Sequence, residues 1–186
     1  DMNMDDETAD RYNNEGTRHV VDFVNELGGD VRLHHVSSVA VAGAGYDGRF
    51  TESMFHEGQR IEHPYFRTKY ESEGIVRSES RVPYRIYRPG AVVGSSETGE
   101  MDKIDGPYYF FKMIQRIRDK VPRWLPLLGV EGGQVPVVPV DYVADAIDAI
   151  AHKKDLDGGC FHLIQSTSPT VGELIRILLE AAHGPD

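Results

Sequence analysis

Residues 31–48 read VRLHHVSSVAVAGAGYDG, and this stretch decides the fold class. The apolar residues from Val31 to Ala42 predict a buried strand with a polar interruption at Ser37 and Ser38. Helical patterns precede and follow this strand. Since a buried strand between two helices is typical of parallel sheets, the stretch favours an α/β protein.

The rest of the chain continues this alternation. Asp5 or Asp6 caps a predicted helix that reaches about Leu27, where Gly28 and Gly29 end it. Further helices are predicted to start at Pro64, Pro107, Asp141 and Thr170, and short strands to cover Tyr84–Tyr87, Gln134–Val138 and Cys160–Ile164. Helices and strands that alternate in this way predict a largely parallel sheet.

The composition excludes several classes of protein. The 186 residues are 40% hydrophobic and 27% charged, as in a globular domain with a substantial core. A formal net charge of −10 argues against nucleic acid as a partner. No apolar run approaches the ~18 residues of a membrane span, and we expect no signal peptide in the acidic first residues. The single cysteine, Cys160, forms no internal disulfide, so we expect a cytoplasmic, reducing compartment.

The segment GAGYDG, residues 43–48, has the spacing G-x-G-x-x-G of a dinucleotide-binding turn. A true fingerprint opens a helix whose first N–H groups meet a pyrophosphate. Here the residues after Gly48 are mostly polar and are interrupted by Gly58. The next predicted helix begins only at Pro64. We interpret the segment as a glycine-rich loop that follows a strand; a nucleotide loop is the alternative.

Tyr65 and Lys69 form Y-x-x-x-K and lie on one face of the helix that begins at Pro64. An ammonium beside a phenol stabilises the phenolate and makes tyrosine a usable acid and base near neutral pH. The alternative is an ordinary exposed helical pair, because this spacing is common by chance.

Two further positions strengthen the hypothesis. Ser38 ends the apolar strand that begins at Val31, where side chains project from the carboxyl edge of a parallel sheet and ligands bind. Asn13 lies inside the first helix, although asparagine is a poor helix former there. Taken singly, each residue has a plain alternative, a strand-end hydroxyl and a surface amide.

Five segments occur in an order that resembles the extended short-chain dehydrogenase/reductase family. The segments are Asn13–Thr17, His35–Gly43, Tyr65–Lys69, Tyr87–Gly94 and Pro139–Ile147. Within that family, GSSETGEMDKIDGPYYFF at residues 94–111 resembles the thioester-reductase and fatty acyl-CoA reductase branch more than the sugar-nucleotide epimerases. The resemblance implies a Rossmann-like doubly wound parallel sheet and a small substrate-binding region.

The resemblance also implies residue roles. Tyr65 would be the catalytic acid and base, and Lys69 would lower the pKa of that tyrosine and bind the nicotinamide ribose. Ser38 would hold the substrate carbonyl, with Ser37 as the fallback and a neighbour of the cofactor. Asn13 would hold a water behind Lys69, or Asn14 if the register differs by one. Pro89, Gly90 and Val92 would line the nicotinamide, and Asp141 would be a structural acid paired with Arg88 or a plain helix cap.

The implied reaction is hydride transfer from NADP(H), with NAD possible, to a carbonyl carbon. The branch implies an acyl thioester on coenzyme A or an acyl carrier protein, reduced to an aldehyde or an alcohol. A sugar-nucleotide epimerase or dehydratase shares these residues and stays open as an alternative. So does a non-catalytic, truncated binding module.

In the family, the glycine fingerprint lies on the first strand, which we expect this chain to lack. Residues 1–94 would then be the C-terminal half of a Rossmann-like catalytic domain. Residues 95–186 would mainly form the substrate-binding region, with a strand and helices that return to the sheet. Without a pyrophosphate site, the isolated chain is expected to bind NADP(H) weakly, to turn over little, and to expose a sheet edge.

Two other features remain hypotheses. Lys112, Arg116 and Lys120 recur on one predicted helix and could meet coenzyme A phosphates or an acidic carrier protein, although a solvated face explains them as well. The apolar-aromatic region at residues 108–111 and 124–128 could line an acyl channel or be ordinary core. The eight histidines lack ligand-like spacing, so we expect no metal site.

Overall fold

A computed structural model of the chain describes residues 5–43, 46, 48–101 and 133–181. Its helices are α1 (Asp6–Ala9), α2 (Gly16–Leu27), α3 (Pro64–Glu79), α4 (Val140–Ala151) and α5 (Val171–Ala181). Its strands are β1 (Leu33–Val36), β2 (Tyr84–Pro89), β3 (Ala91–Val93), β4 (Val137–Pro139) and β5 (Cys160–Leu163). The helix predicted to start at Pro107 lies outside the described residues. The alternation confirms the α/β class.

The first of two compact units comprises Asp1–Gly90 and Tyr142–Leu163. Its sheet has the strand order β1-β2-β5, and both pairs are parallel. Helices α2 and α3 pack on this sheet through a buried apolar cluster. The cluster contains Val21, Val24, Leu33, Ile75, Val76, Val82, Ile86 and Cys160. Burial of such a cluster is the main force that holds helices on a sheet.

Helix boundaries follow the predicted signals. The Oδ1 atom of Asp5 accepts a hydrogen bond from the Thr8 amide at 2.8 Å and caps α1. Gly28 ends α2 with a φ of +58°, a conformation that glycine adopts at little cost. Pro64 is the first residue of α3, and the His63 ring accepts from the Tyr65 amide at 3.3 Å.

Two predictions about the first unit need correction. The predicted strand over residues 31–42 ends at Val36, because the Ser38 hydroxyl accepts from the Ala40 amide and the chain turns into a 3-10 segment, Val39–Ala42. The first helix is interrupted by a π-helical segment, Asp10–Glu15, between α1 and α2.

The apolar face of α2 is wider than its contact with the core. Val21 and Val24 are buried, as the periodicity predicts. Val20, Phe23 and Leu27 are 49%, 61% and 56% exposed. Only part of the predicted apolar face therefore packs within the described residues.

The second unit comprises Ala91–Asp141 and Ile164–Asp186. Strands β3 and β4 pair in parallel, with Val92 opposite Val138. Thr170 forms an isolated antiparallel bridge with Gln134 just before α5. Asp141 accepts from both the amide and the hydroxyl of Ser96, at 2.8 and 2.5 Å.

Candidate active site

Tyr65 and Lys69 lie one turn apart on the N-terminal half of α3, and both are half-buried. The ring of Phe66 meets the Tyr65 ring edge-on, with 5.6 Å between centroids. The helix thus forms where the sequence predicted it, and the i and i+4 spacing places phenol and ammonium on one face.

The Lys69 ammonium reaches the end of β1. Its Nζ atom donates to the carbonyl oxygen of Val36, the last residue of that strand, at 2.7 Å. An ammonium has three N–H donors, and the described residues offer this one acceptor. Burial lowers the pKa of Lys69, while the negative charge of Glu73 raises it. The lysine is therefore a partly desolvated cation with donors left for a ligand.

The two serines after β1 have different surroundings. Ser37 is buried, and its hydroxyl donates to Oε2 of Glu73 at 2.6 Å. Ser38 is half-buried, its hydroxyl accepts from the Ala40 amide at 3.1 Å, and its proton has no acceptor among the described residues. Ser38 is thus the better candidate for binding a carbonyl oxygen, and Ser37 belongs to the supporting structure.

The two asparagines occupy the π-helical segment, a local distortion that is often found at functional sites. Asn13 donates to the hydroxyl of Thr68, the residue before Lys69, at 2.8 Å. Asn14 donates to Asp10 and Glu71, each at 2.6 Å, and its buried Oδ1 has no described partner. Asn13 is therefore the asparagine that the structure connects to the lysine turn.

The sequence did not reveal a buried ion pair next to this site. Glu73 and Arg88 are fully buried and contact each other through two hydrogen bonds, of 2.6 and 3.0 Å. The predicted pairing of Arg88 with Asp141 is wrong, because Arg88 pairs with Glu73 and Asp141 with Ser96. The sequence held two signals of this ion pair: Arg88 directly after a predicted strand, and Glu73 one helical turn after Lys69.

The predicted nicotinamide-lining residues lie on different strands. Pro89 ends β2, and Gly90 continues its pairing by donating to the Leu163 carbonyl at 3.1 Å. Val92 lies on β3 in the second unit. Their contact with a cofactor stays a prediction.

The glycine-rich segment does not open a helix in the described residues. From Gly48 onward the chain forms turns and bends until α3 begins at Pro64. Gly43 has a φ of +74°, and a Cβ atom there would lie 2.6 Å from the carbonyl oxygen of Arg60. A glycine is thus required for close backbone packing at that position, which supports the interpretation as a loop.

Neither a metal-binding cluster nor a membrane-spanning helix occurs in the part of the chain that the structure describes. The described residues contain no group of three or more His, Cys, Asp or Glu side chains that could hold a metal ion. None of the helices in the same ranges has the length and apolarity to cross a membrane. The basic helix positions Lys112, Arg116 and Lys120 and the aromatic region at residues 108–111 and 124–128 lie outside the described residues.

A parallel sheet whose strand end meets the lysine of Y-x-x-x-K, beside a strand-end serine, defines the short-chain dehydrogenase/reductase architecture. The chain belongs to the NAD_binding_4 family, described as male sterility protein, whose model matches residues 1–147. The resemblance to the extended short-chain dehydrogenase/reductase family and the Rossmann-like fold are both confirmed.

Individual proteins agree with this family. The chain is 27% identical over 161 residues to an aldehyde reductase of Aspergillus flavus, covering 80% of the chain and 15% of the relative. The terminal R domain from the myxalamid PKS-NRPS pathway is 25% identical with a TM-score of 0.73, covering 90% of this chain and 41% of that one. The dTDP-glucose 4,6-dehydratase of Streptomyces venezuelae, solved with NAD, is 24% identical with a TM-score of 0.66, covering 92% and 50%.

The chain spans a minor part of these proteins. It covers 15–17% of the length of the curated relatives that it matches. The activity of a whole protein that contains it is therefore a matter for proposal.

Proposed function

We propose that this chain belongs to an NAD(P)-dependent reductase that acts on the carbonyl of an acyl thioester. Residues 1–94 would supply the catalytic half-sheet, and residues 95–186 would mainly bind the substrate. The observation that carries the proposal is the half-buried Lys69 ammonium, held at the end of β1 with donors to spare, one turn after Tyr65.

The side chains support separate roles in a reduction. Ser38, whose proton has no acceptor among the described residues, donates to the substrate oxygen and orients the carbonyl. Tyr65 donates a proton to that oxygen, and the Lys69 ammonium stabilises the phenolate that remains. Asn13 supports this turn of α3 through Thr68. For a thioester, reduction gives a hemithioacetal, which collapses to an aldehyde and a thiol; a second reduction gives an alcohol.

The residues fit one end of a nicotinamide cofactor. The cofactor, when bound, supplies the hydride. The unused donors of Lys69 suit ribose hydroxyls, and the family is NAD-binding by its name. We propose NADP, with NAD open. Because no helix follows GAGYDG before Pro64 in the described residues, a pyrophosphate cradle is not expected there, and the chain alone should bind the cofactor weakly.

The substrate class rests on relatives. An R domain of a PKS-NRPS pathway and an aldehyde reductase are similar to this chain over most of its length. One name states reduction of an aldehyde and the other a domain of a PKS-NRPS pathway, and from these we propose a carrier-bound or coenzyme A thioester as the substrate that gives the aldehyde. The sugar-nucleotide enzymes among the solved structures are less than 25% identical, so they support the fold and leave an epimerase or dehydratase as the alternative.

The test uses the complete natural polypeptide that carries this sequence, with NADPH and a long-chain acyl-CoA or acyl carrier thioester. We expect NADPH oxidation with release of free thiol. Tyr65→Phe should lower kcat by about 10²- to 10⁴-fold, the usual contribution of a general acid. Tyr70→Phe is the matched control, because it removes a phenol from the same helix outside the proposed site. In a separate titration followed by nicotinamide fluorescence, the 186-residue chain should not saturate at millimolar NADPH.

Two results would contradict the proposal. One is full activity of Tyr65→Phe on the thioester. The other is conversion of a nucleotide-linked sugar by a polypeptide that leaves thioesters untouched, which would favour the epimerase or dehydratase. Tight NADPH binding by the 186-residue chain would overturn the expected lack of a phosphate site.

A further inference from the structure

We infer that the buried Glu73–Arg88 ion pair positions Lys69 and Ser38 for the reaction. This inference rests on the proposed function, since it assigns a role to groups that support the proposed site. Glu73 and Arg88 are positioning residues: their described contacts are with other protein groups.

The pair is saturated with hydrogen bonds. The Glu73 carboxylate accepts from Arg88 at 2.6 and 3.0 Å, from Ser37 at 2.6 Å and from Arg77 at 2.8 Å. Glu73 and Arg88 both have no exposed side-chain surface. A bidentate, fully buried arginine–carboxylate pair has one good geometry, so its partners are held in place.

The pair fixes helix α3 against the end of β1. Lys69 and Glu73 are one helical turn apart and reach adjacent residues: Lys69 binds the carbonyl of Val36, and Glu73 accepts from the hydroxyl of Ser37. Ser38 is the next residue. The Lys69 and Glu73 contacts lie at successive turns of α3 and together fix its position along residues 36–38. They therefore also fix the distance between the Lys69 ammonium and Ser38.

Arg88 extends the same support to its surroundings. Its guanidinium donates to the Met54 carbonyl at 3.0 Å, lies 3.3 Å from the His162 ring nitrogen, and stands 5.3 Å from the centre of the Phe50 ring. A carboxylate that moved with α3 would have to leave this arginine unpaired in the interior. Such a loss is costly, which makes the arrangement rigid.

Glu73 also acts on Lys69 by its charge. It is the charged group that raises the pKa of Lys69 against the effect of burial. His35 of β1 and Arg77 of α3 belong to the same charged surroundings, because the pKa of His35 responds to Lys69, Glu73 and Arg77. Removal of the Glu73 charge should therefore lower the pKa of Lys69, and the effect on kcat of a variant that keeps the charge reports the positioning role.

The first experiment measures the pKa of Lys69 in the 186-residue chain by NMR of ¹³C-labelled lysine, with Lys69→Arg for assignment. Glu73→Gln should lower that pKa, because it removes the opposite charge. Glu79→Gln is the matched control: it makes the same change on the same helix, in an exposed pair with Arg18 at 3.6 Å. It should leave the pKa of Lys69 unchanged.

A second variant protects the test against misfolding. Glu73→Asp keeps the charge and retracts the carboxylate, so the chain should fold with a Lys69 pKa near that of the wild type. In the complete natural polypeptide it should lower kcat about tenfold or more, with a smaller effect on KM, because the ammonium and Ser38 are displaced. Glu79→Asp should leave kcat unchanged.

The outcomes separate the two proposals. If Tyr65→Phe retains full activity, the proposed function fails, whatever Glu73 does. If Tyr65→Phe is inactive but the Glu73 variants keep the wild-type kcat and Lys69 pKa while losing only thermal stability, the positioning role is overturned. Loss of kcat in Glu73→Asp with a pKa shift in Glu73→Gln supports it.

Discussion

The two halves of helix α3 treat their charged groups in opposite ways. In the N-terminal half, Lys69 is half-buried and has one described acceptor, the Val36 carbonyl. In the C-terminal half, Glu73 is fully buried and accepts four hydrogen bonds from three side chains. One turn of helix separates Lys69, which has unused hydrogen-bond donors, from Glu73, whose two carboxylate oxygens both have partners.

This difference separates function from support. A buried polar group normally finds its partners within the fold, and Glu73 does so. A partly desolvated group that keeps unused donors costs stability, and proteins keep such groups where a ligand will complete them. The same contrast occurs between the neighbours Ser37 and Ser38, of which only Ser37 is bound to Glu73. We therefore expect residues whose hydrogen bonds are all made within the fold to support the site, and residues with unused donors to act in it.

The largest loss of stability is expected from Arg88→Met. The substitution removes the cation that faces the buried Glu73 carboxylate and leaves that charge uncompensated. We expect the free energy of unfolding to fall by about 3–5 kcal/mol, measured by urea denaturation with circular dichroism. Arg67→Met is the control on the same helix, where the partly exposed Arg67 pairs with Asp6 and Glu71, and should cost about 0–1 kcal/mol. Equal losses of unfolding free energy in Arg88→Met and Arg67→Met would show that the buried pair contributes no more to stability than the ion pairs of Arg67.

An intermediate effect is expected from acidification, through His35 on β1. Its Nε2 is buried and has no partner among the described residues. Burial first, and the charge of Lys69 second, lower the pKa of His35 from 6.5 to about 4. The unfolded chain therefore binds a proton that the folded chain refuses, and stability falls as the pH drops from 6.5 towards 4. At ~1.4 kcal/mol per unit, the loss approaches about 3 kcal/mol.

His35→Leu should remove the part of the loss that comes from His35, because the substituted side chain does not titrate; His34 and His162, whose pKa values burial also lowers, keep their parts. The measurement is the urea midpoint of both proteins at several pH values across this window. The lowered pKa of Glu73 also makes the fold sensitive to acid, but below its ordinary value of 4.5, so the two groups separate in pH. If the urea midpoint of His35→Leu falls with pH as steeply as that of the wild type, the His35 ring has a hydrogen-bond partner in solution.

Local signals were sufficient to predict most helix boundaries. A proline fixed the start of α3, and an aspartate and a glycine marked the beginning of α1 and the end of α2. These signals act within one turn, so the sequence contains them. The early end of β1 depends on the hydroxyl of Ser38 turning towards the Ala40 amide, and an apolar run that continues to Ala42 conceals it.

The candidate site was only partly predictable. The spacing of Tyr65 and Lys69 is local and survived in the structure as two positions on one helical face. Two partners of Glu73 come from 36 residues upstream, just after β1, and 15 residues downstream, on β2. Such contacts depend on strand order and register, which a single sequence does not determine. Arg88 was for this reason assigned the wrong carboxylate.

The smallest effect concerns Asn13 and Asn14, and it should separate stability from activity. Asn14 makes two hydrogen bonds to carboxylates and is buried, whereas Asn13 makes one, to Thr68. Asn14→Ala should therefore cost about 1–3 kcal/mol of stability and Asn13→Ala about 1 kcal/mol, by urea denaturation.

Activity should follow the opposite order. Asn13→Ala loosens the turn that carries Lys69 and should lower kcat in the complete polypeptide more than Asn14→Ala does, because Thr68 directly precedes the lysine. Thr68→Val keeps the shape but removes the hydroxyl, and should reproduce the effect of Asn13→Ala on kcat. If Asn14→Ala is the more damaging change in both measurements, the buried asparagine with more hydrogen bonds is also the functional one, and the number of partners no longer separates support from function.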